Sequence, residues 1–318
     1  MIKHAKPEAF YDTFDRKEPG AKSTHYCPGC GHGTMHKLIA EAIDDMQIAD
    51  RVIMHSPVGC SVFAYYYFDT GNIQCSHGRA PAVATGVSRV HRDAVVITYQ
   101  GDGDLAGIGT SEIIHAANRG ENITVFFINN AIYGMTGGQM APTTIHGQKT
   151  LTTPQGRHAN TDGNPIGMAE VINALKAPVY IERVSLASSR GVMKARKAVR
   201  KGLQNQLDKR GFSFIEVLSP CPINWKMDPV EARKWITDTL EPIYPAACFR
   251  DDAEKRPEIG NPIAPLDDKQ LLKLLHGEPP VPAMDPLQLE EEQRVKIAGF
   301  GGQGVLSGGV LLAKCGIA

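Results

Sequence analysis

Apolar residues recur along this chain in two rhythms. The first is short and continuous: Arg51–His55, Ala94–Tyr99, Ile123–Ile128, Val179–Val184 and Phe212–Leu218. Runs of this length, bounded by glycine, proline and polar residues, predict strands buried on both faces. The second rhythm places apolar residues three and four apart. Met35, Leu38, Ile39, Ala42, Ile43 and Met46 form one such stripe. Ile113, Ile114 and Ala117 form a shorter one, closed by Gly120. Residues 82–90, 168–176 and 191–209 also read as helices. Strands alternating with helices predict an α/β fold with a doubly wound, mostly parallel sheet.

Four of the predicted strands run into clusters that carry chemistry. Arg51–His55 leads to Ser56-Pro57-Val58-Gly59-Cys60-Ser61, and Ala94–Tyr99 to Gly101-Asp102-Gly103-Asp104. Ile123–Ile128 leads to Asn129-Asn130, and Phe212–Leu218 to Ser219-Pro220-Cys221-Pro222. In an open parallel sheet, ligands bind at the carboxyl ends of the strands. Asp102 offers a carboxylate there and Asn130 an amide oxygen, the hard donors that a magnesium diphosphate takes. The glycines let backbone N–H groups approach a phosphate, and the helix start behind them favours its charge. GDG alone also describes an ordinary βα turn. GDG opening a unit that closes in NN at Asn130 is far more specific.

Composition narrows the setting. The chain has 318 residues, 42% of them hydrophobic, enough for one sizeable core. Lys plus Arg and Asp plus Glu both number 34, so charge predicts neither nucleic acid nor an anionic membrane as partner. No apolar run approaches the roughly 20 residues of a membrane span, and residues 1–24 are polar, without a secretory core. The expected location is cytoplasmic. Seven cysteines is an odd count, and in a cytoplasmic chain of this length it favours metal or redox chemistry over disulfides.

The expected organisation is an arm (1–24), one α/β domain (25–248), a polar, Pro-rich linker or tail (249–293) and a final segment (294–318). Lys269–His276 is a short amphipathic piece inside the linker. Val295–Phe300 reads as a strand opening Gly299-x-Gly301-x-x-Gly304. Only 14 residues follow Gly304, so the acidic residue a dinucleotide site needs is missing and no such site is expected.

Cys27-Pro28-Gly29-Cys30 opens a helix, as a redox pair, half a zinc site or half an iron–sulfur site would. Cys60 and Cys221 fall at the same sheet edge as Asp102 and Asn130. Four thiolates suit a [4Fe–4S] cluster or a structural zinc; the plainer alternative makes Cys60 and Cys221 small buried hydrophobes. His77-Gly78-Arg79 suits an anion or a solvated loop. Phe63–Phe68 reads as core or subunit interface. Tyr133–Gln139 suits a cradle over a ligand, continuing into a long loop as far as Gly163.

The GDG…NN unit resembles the thiamine-diphosphate fingerprint, and residues 24–250 resemble the β subunit of the 2-oxoacid:ferredoxin oxidoreductases. The resemblance implies a pyrophosphate-binding domain of thiamine enzymes. It implies magnesium held by Asp102, Asn130 and the Ile132 carbonyl. Contacts to thiamine diphosphate would come from Val58, Gly59, Cys60, Ser61, His77, Gly78, Arg79, Gly101, Asp102, Gly103, Asp104, Asn130, Gly134 and Met135. Cys27, Cys30, Cys60 and Cys221 would hold one [4Fe–4S] cluster. Cys75, Cys248 and Cys315 match no ligand of the family. VKIAGFGGQGVL, from Val295, resembles the start of the γ subunit, as in a truncated β–γ fusion or a piece exchanged with a partner.

The implied reaction is oxidative decarboxylation of a 2-oxoacid to acyl-coenzyme A and carbon dioxide, with electrons leaving singly through the cluster to ferredoxin. An α subunit would supply the activating glutamate, so no catalytic residue is expected on this chain; γ or δ subunits would complete the assembly. The basic helix 191–209 is a solvated face or a ferredoxin dock. A pocket lined by Val62–Phe68 favours a branched-chain substrate such as 2-oxoisovalerate. Arg79 would favour 2-oxoglutarate; pyruvate ranks third. The rivals are a non-redox thiamine enzyme subunit, a zinc-stabilised scaffold and a CxxC thiol oxidoreductase.

Overall fold

The continuous apolar runs become neighbours in one seven-stranded sheet. The computed structural model describes residues 5–13, 24–259, 267–274 and 308–312. Its strands are β1 (Val52–Pro57), β2 (Gly71–Cys75), β3 (Val95–Gly101), β4 (Thr124–Asn129), β5 (Tyr180–Ser185), β6 (Ser213–Leu218) and β7 (Cys248–Asp251). Their order is β2-β1-β3-β4-β6-β5-β7. All neighbours are parallel except β7, which runs antiparallel to β5.

The helices are α1 (Gly31–Met46), α2 (Ala80–Val90), α3 (Thr110–Arg119), α4 (Ala159–Asp162), α5 (Met168–Asn173), α6 (Ser189–Leu207), α7 (Pro222–Trp225), α8 (Pro229–Trp235) and, in the second unit, α9 (Asp268–Leu274). Alternation along each strand sorts side chains to two faces. Val95, Ile97, Tyr99, Phe126, Ile128, Ile215 and Val217 pack with α1 and α6. Val96, Val125, Phe127 and Phe214 pack with α2, α3 and α5. Both faces are covered, which is why the strands read as continuous apolar runs.

The chain goes from β1 outward to β2, then back across to β3 on the other side. The carboxyl ends of β1 and β3 therefore flank a switch point, where an open sheet leaves a crevice. The clusters beginning at Gly59, Gly101 and Asn130 leave the sheet at this edge.

Two strands escaped the sequence pattern. β2 and β7 are edge strands, half exposed, with too few apolar residues to form a run. β7 corrects the expected domain limit, because a boundary after residue 248 would cut it. The first compact unit continues to Ile259, whose N–H donates to the Lys209 carbonyl at 2.7 Å. Residues 260–318 form a second unit; α9 and a helical turn at 308–312 are described in it. The expected strand 295–300 and its glycine motif lie outside the described residues. In the N-terminal arm, the N–H groups of Glu8 and Ala9 donate to the Asp44 carboxylate at 2.7 and 2.8 Å. The aromatic run becomes a 3₁₀ turn (Cys60–Tyr66) whose Ala64, with Tyr67 and Phe68 beyond it, joins the core beside α1. Among the described residues no helix is long and apolar enough to cross a membrane.

One charged group lies inside this apolar frame. Arg183 of β5 sits beside Glu216 of β6, both side chains 0% exposed and 2.9 Å apart. Arg183 also donates to Glu170 of α5 at 2.7 Å. Glu216 in turn accepts from Asn129 Nδ2 at 2.8 Å and from the Ala169 N–H at 3.2 Å. Removing one partner of such a buried pair strands the other's charge. Arg183→Leu is expected to cost about 3–5 kcal/mol, read as a fall in Tm of roughly 6–20 °C by calorimetry.

Candidate cofactor and iron–sulfur site

Asp102 caps the wide π-type turn Gly103–Ile108 that follows β3. Its carboxylate is 3% exposed. Oδ1 accepts from the Gly103 N–H at 2.8 Å. Oδ2 accepts from Thr143 Oγ1 at 2.8 Å and from the Ile132 N–H at 3.1 Å. These bonds favour the ionised form, but burial outweighs them and lifts the carboxyl to about 7.

The two asparagines do different work. Asn129 is a brace: Nδ2 holds Glu216, and Oδ1 accepts from the Ala131 N–H at 3.1 Å. Ala131 is left-handed, with φ of 56°, a conformation that costs a side-chain-bearing residue about 1–2 kcal/mol. Its carbonyl is gripped by Thr144 Oγ1 at 2.7 Å and Gln148 Nε2 at 3.0 Å. The kink turns Asn130 and the Ile132 carbonyl toward Asp102. The Asn130 amide nitrogen donates to the Ile132 carbonyl oxygen at 2.7 Å and to Asp102 Oδ2 at 3.2 Å. The same amide turned end for end would present its oxygen beside these two, and a cation among the three oxygens would then satisfy them all. An oxygen-only donor set of this kind fits magnesium.

The glycines of this motif serve two ends. A Cβ on Gly103 would collide with the Tyr133 ring, so this glycine makes room for the loop beyond Asn130. A Cβ on Gly101 would meet nothing within 4 Å, so the backbone there is open to a ligand.

His77, Gly78 and Asp104 form a lock. His77 Nδ1 lies 2.5 Å from Asp104 Oδ1, the Gly78 N–H donates to the same oxygen at 2.6 Å, and Gln100 Nε2 donates to Oδ2 at 2.7 Å. Asp104 thus ties the His77–Arg79 loop to β3. Arg79 forms an ion pair with Glu112 of α3. Val58 and Met135 are 42% and 46% exposed, and Ser61 is buried.

The four cysteines come together at the same edge. Cys30 caps α1, Cys60 follows Gly59, and Cys221 caps α7. A Cβ on Gly134 would stand 3.5 Å from Cys221 Sγ and 3.7 Å from Cys60 Sγ. Burial pushes Cys30 and Cys60 up to about 12, and the charges of the other thiols in the group add to the rise. Cys221 is raised by burial as well. Four thiolates here are stable only with compensating positive charge, which iron supplies. Four sulfurs on one zinc, each about 2.3 Å from it, must crowd within roughly 4 Å of one another. Among the described residues no three His, Cys, Asp or Glu converge as a single ion requires. Cys75 lies buried at the end of β2, in register with Pro57, and Cys248 exposed on β7; Cys315 is outside the described residues.

Several participants carried no signal in the sequence. Thr143 belongs to the long loop, which lacks sheet partners and is knitted by Arg157, whose guanidinium donates to six carbonyls, including those of Pro142, Thr144, Gly163 and Asn164. Trp225 Nε1 donates to the Asn130 carbonyl at 3.1 Å. Tyr26 donates to the Cys60 carbonyl at 3.1 Å. Asn224 donates to Gly134 and Cys221. The only clue to the last was its place three residues after Cys221.

This edge is that of a thiamine-diphosphate-binding domain: residues 57–217 match the family model described as the thiamine pyrophosphate enzyme C-terminal TPP binding domain. The chain is 52% identical to the ketoisovalerate oxidoreductase subunit VorA of Methanothermobacter thermautotrophicus, over 97% of this chain and 65% of that one. It is 39% identical to the 2-oxoglutarate synthase subunit KorB of Methanocaldococcus jannaschii, over 62% and 69%. It belongs to the thiamine-diphosphate-binding subunits of the 2-oxoacid:ferredoxin oxidoreductases. It spans just under two thirds of the length of the VorA relative. The solved 2-oxoglutarate:ferredoxin oxidoreductase from Magnetococcus marinus, with 2-oxoglutarate, coenzyme A and succinyl-CoA bound, has the same fold: the TM-score is 0.61 at 23% identity, over 87% of this chain and 97% of that one.

Asp102 sets a pH dependence. Its folded pKa is raised from 3.8 to about 7, so the folded state holds a proton that the unfolded chain has lost. Cofactor-free stability therefore falls as pH rises from about 4 to 7, then levels. Metal binding needs the carboxylate. The Tm gain from magnesium plus thiamine diphosphate is expected to be larger at pH 8 than at pH 6, and Asp102→Asn to abolish it at both.

Proposed function

We propose that this chain is the cofactor and electron-relay subunit of a cytoplasmic, coenzyme A-dependent 2-oxoacid:ferredoxin oxidoreductase. One observation carries the reading: Gly134, on the loop leaving Asn130, lies against the sulfurs of both Cys60 and Cys221. The loop that would cradle the cofactor is thus the wall of the four-cysteine group. Bound there, thiamine diphosphate supplies an electron sink for decarboxylation of a 2-oxoacid, and a [4Fe–4S] cluster takes electrons one at a time.

In this reading Asp102, Asn130 and the Ile132 carbonyl hold magnesium. Open backbone at Gly59 and Gly101 receives the diphosphate. Cys27, Cys30, Cys60 and Cys221 ligate the cluster. The Asp104 lock fixes the His77–Arg79 loop and contributes order rather than a ligand. The activating glutamate is assigned to a partner α subunit, and γ or δ subunits complete the complex, so this chain alone is inactive. The segment 294–318 is assigned to the start of a γ-like part on the resemblance of VKIAGFGGQGVL alone.

A branched-chain 2-oxoacid such as 2-oxoisovalerate is the favoured substrate. The ketoisovalerate relative is 52% identical and the 2-oxoglutarate relative 39%. Arg79 is engaged by Glu112, which removes the obvious partner for a second substrate carboxylate. The Val62–Phe68 stretch gives no such support, because Val62, Ala64, Tyr67 and Phe68 are buried.

The test is iron, acid-labile sulfide and zinc content after anaerobic co-expression with the partner subunits. About four irons and four sulfides per chain are expected in the wild type, with a loss of most of that iron in Cys221→Ser. Zinc, or no metal in the assembled complex, would falsify the redox reading. A CxxC thiol oxidoreductase would instead keep its activity when Cys60 and Cys221 are replaced.

A further inference from the structure

Asn224 bridges the two halves of the site. It lies in α7, directly beyond Cys221. Its Nδ2 donates to the Gly134 carbonyl at 3.0 Å and to Cys221 Sγ at 3.4 Å. An amide nitrogen has two hydrogens, and here one goes to each acceptor. The carbonyl of Gly134 can only accept, so it fixes which end of the amide points inward. The Asn224 side chain is partly buried, and its Oδ1 stands against Gly138 on the same glycine-rich loop. The loop beyond Asn130 is therefore held to the Cys221 sulfur through one side chain.

We propose that Asn224 is a positioning residue that sets the reduction potential of the cluster ligated by Cys221 and holds the Gly134–Met135 loop at its place beside that cluster. The proposal rests on the four-cysteine reading above. A donor on a ligating sulfur draws off negative charge, which stabilises the reduced cluster more than the oxidised one and raises its potential. Cys221 Sγ also accepts from the Asn224 backbone N–H. The backbone donor survives any substitution, so the side chain's part can be isolated.

Asn224→Leu removes the donor at similar volume. Asn224→Asp replaces it with an acceptor and a negative charge. Asn224→Ser offers a shorter donor. The measurement is the cluster midpoint potential, followed by EPR in an anaerobic redox titration of the assembled complex, with iron content determined on the same samples. Expected is a shift to more negative potential in Leu, a larger one in Asp and a smaller one in Ser, all with wild-type iron. Unchanged potentials with iron retained would overturn the proposal. Loss of iron from the Leu and Asp variants alone would overturn it too, because Asn224 would then be holding the cluster in place and not tuning it. Absence of iron from the wild type would instead sink the four-cysteine reading itself. Limited proteolysis near Met135 gives a second readout: faster cleavage in Leu and Asp than in wild type supports the loop contact, and equal rates refute that half.

Discussion

The site depends on a carboxylate that never meets a ligand. Glu216 is wholly buried, and it is tolerable only because Arg183, Asn129 and the Ala169 N–H share its charge. That sharing holds Asn129 still at the end of β4. Asn129 then holds the Ala131 N–H, and Ala131 keeps a left-handed backbone that an alanine would otherwise leave. The kink aims Asn130 and the Ile132 carbonyl at Asp102. Strain at the site is thus paid for by an ion pair one strand away, on β6 and β5.

The edge is built to want positive charge. Burial lifts Asp102 to about 7 and the Cys30 and Cys60 thiols to about 12. Among the described residues, the bonds to the Asp102 carboxylate come from Thr143 and from backbone N–H groups, Gly103 and Ile132 among them, and none from a lysine or arginine. A protein that needed these groups ionised by itself would have paired them with cations. Here the acceptors are desolvated and pre-aligned, and the missing charge is what the proposed divalent cation and iron cluster would bring. The same logic separates Asp104 from Asp102, two residues apart. Asp104 spends both oxygens on His77, Gly78 and Gln100, so it stabilises a loop and has little left for a metal.

The two cofactor regions are also mechanically joined. A Cβ on Gly134 would meet the sulfurs of Cys60 and Cys221, Asn224 ties Gly134 to Cys221, and Trp225 ties α7 to Asn130. Side chains of α7 therefore reach both Asn130, just beyond β4, and Cys221, beyond β6. Short donor–acceptor links across one wall are suited to electron transfer, since they keep donor and acceptor groups at a constant separation.

Much of this was legible in the residue order. Continuous apolar runs required strands buried on both faces, and their placement put GDG, NN and two cysteine motifs at one edge. The edge strands β2 and β7 were not legible, because a half-exposed strand is specified by its neighbour's backbone more than by its own side chains. Nor were the roles of Asp104 and Arg79, whose partners include His77, Gly78 and Glu112, each more than 20 residues away in the chain. Thr143, Asn224 and Trp225 are ordinary polar or aromatic residues until folding brings them within hydrogen-bond reach. Local sequence determines which donors exist and where strands end. Which donors remain free for a ligand is decided by long-range pairing, and that exists only in the folded chain.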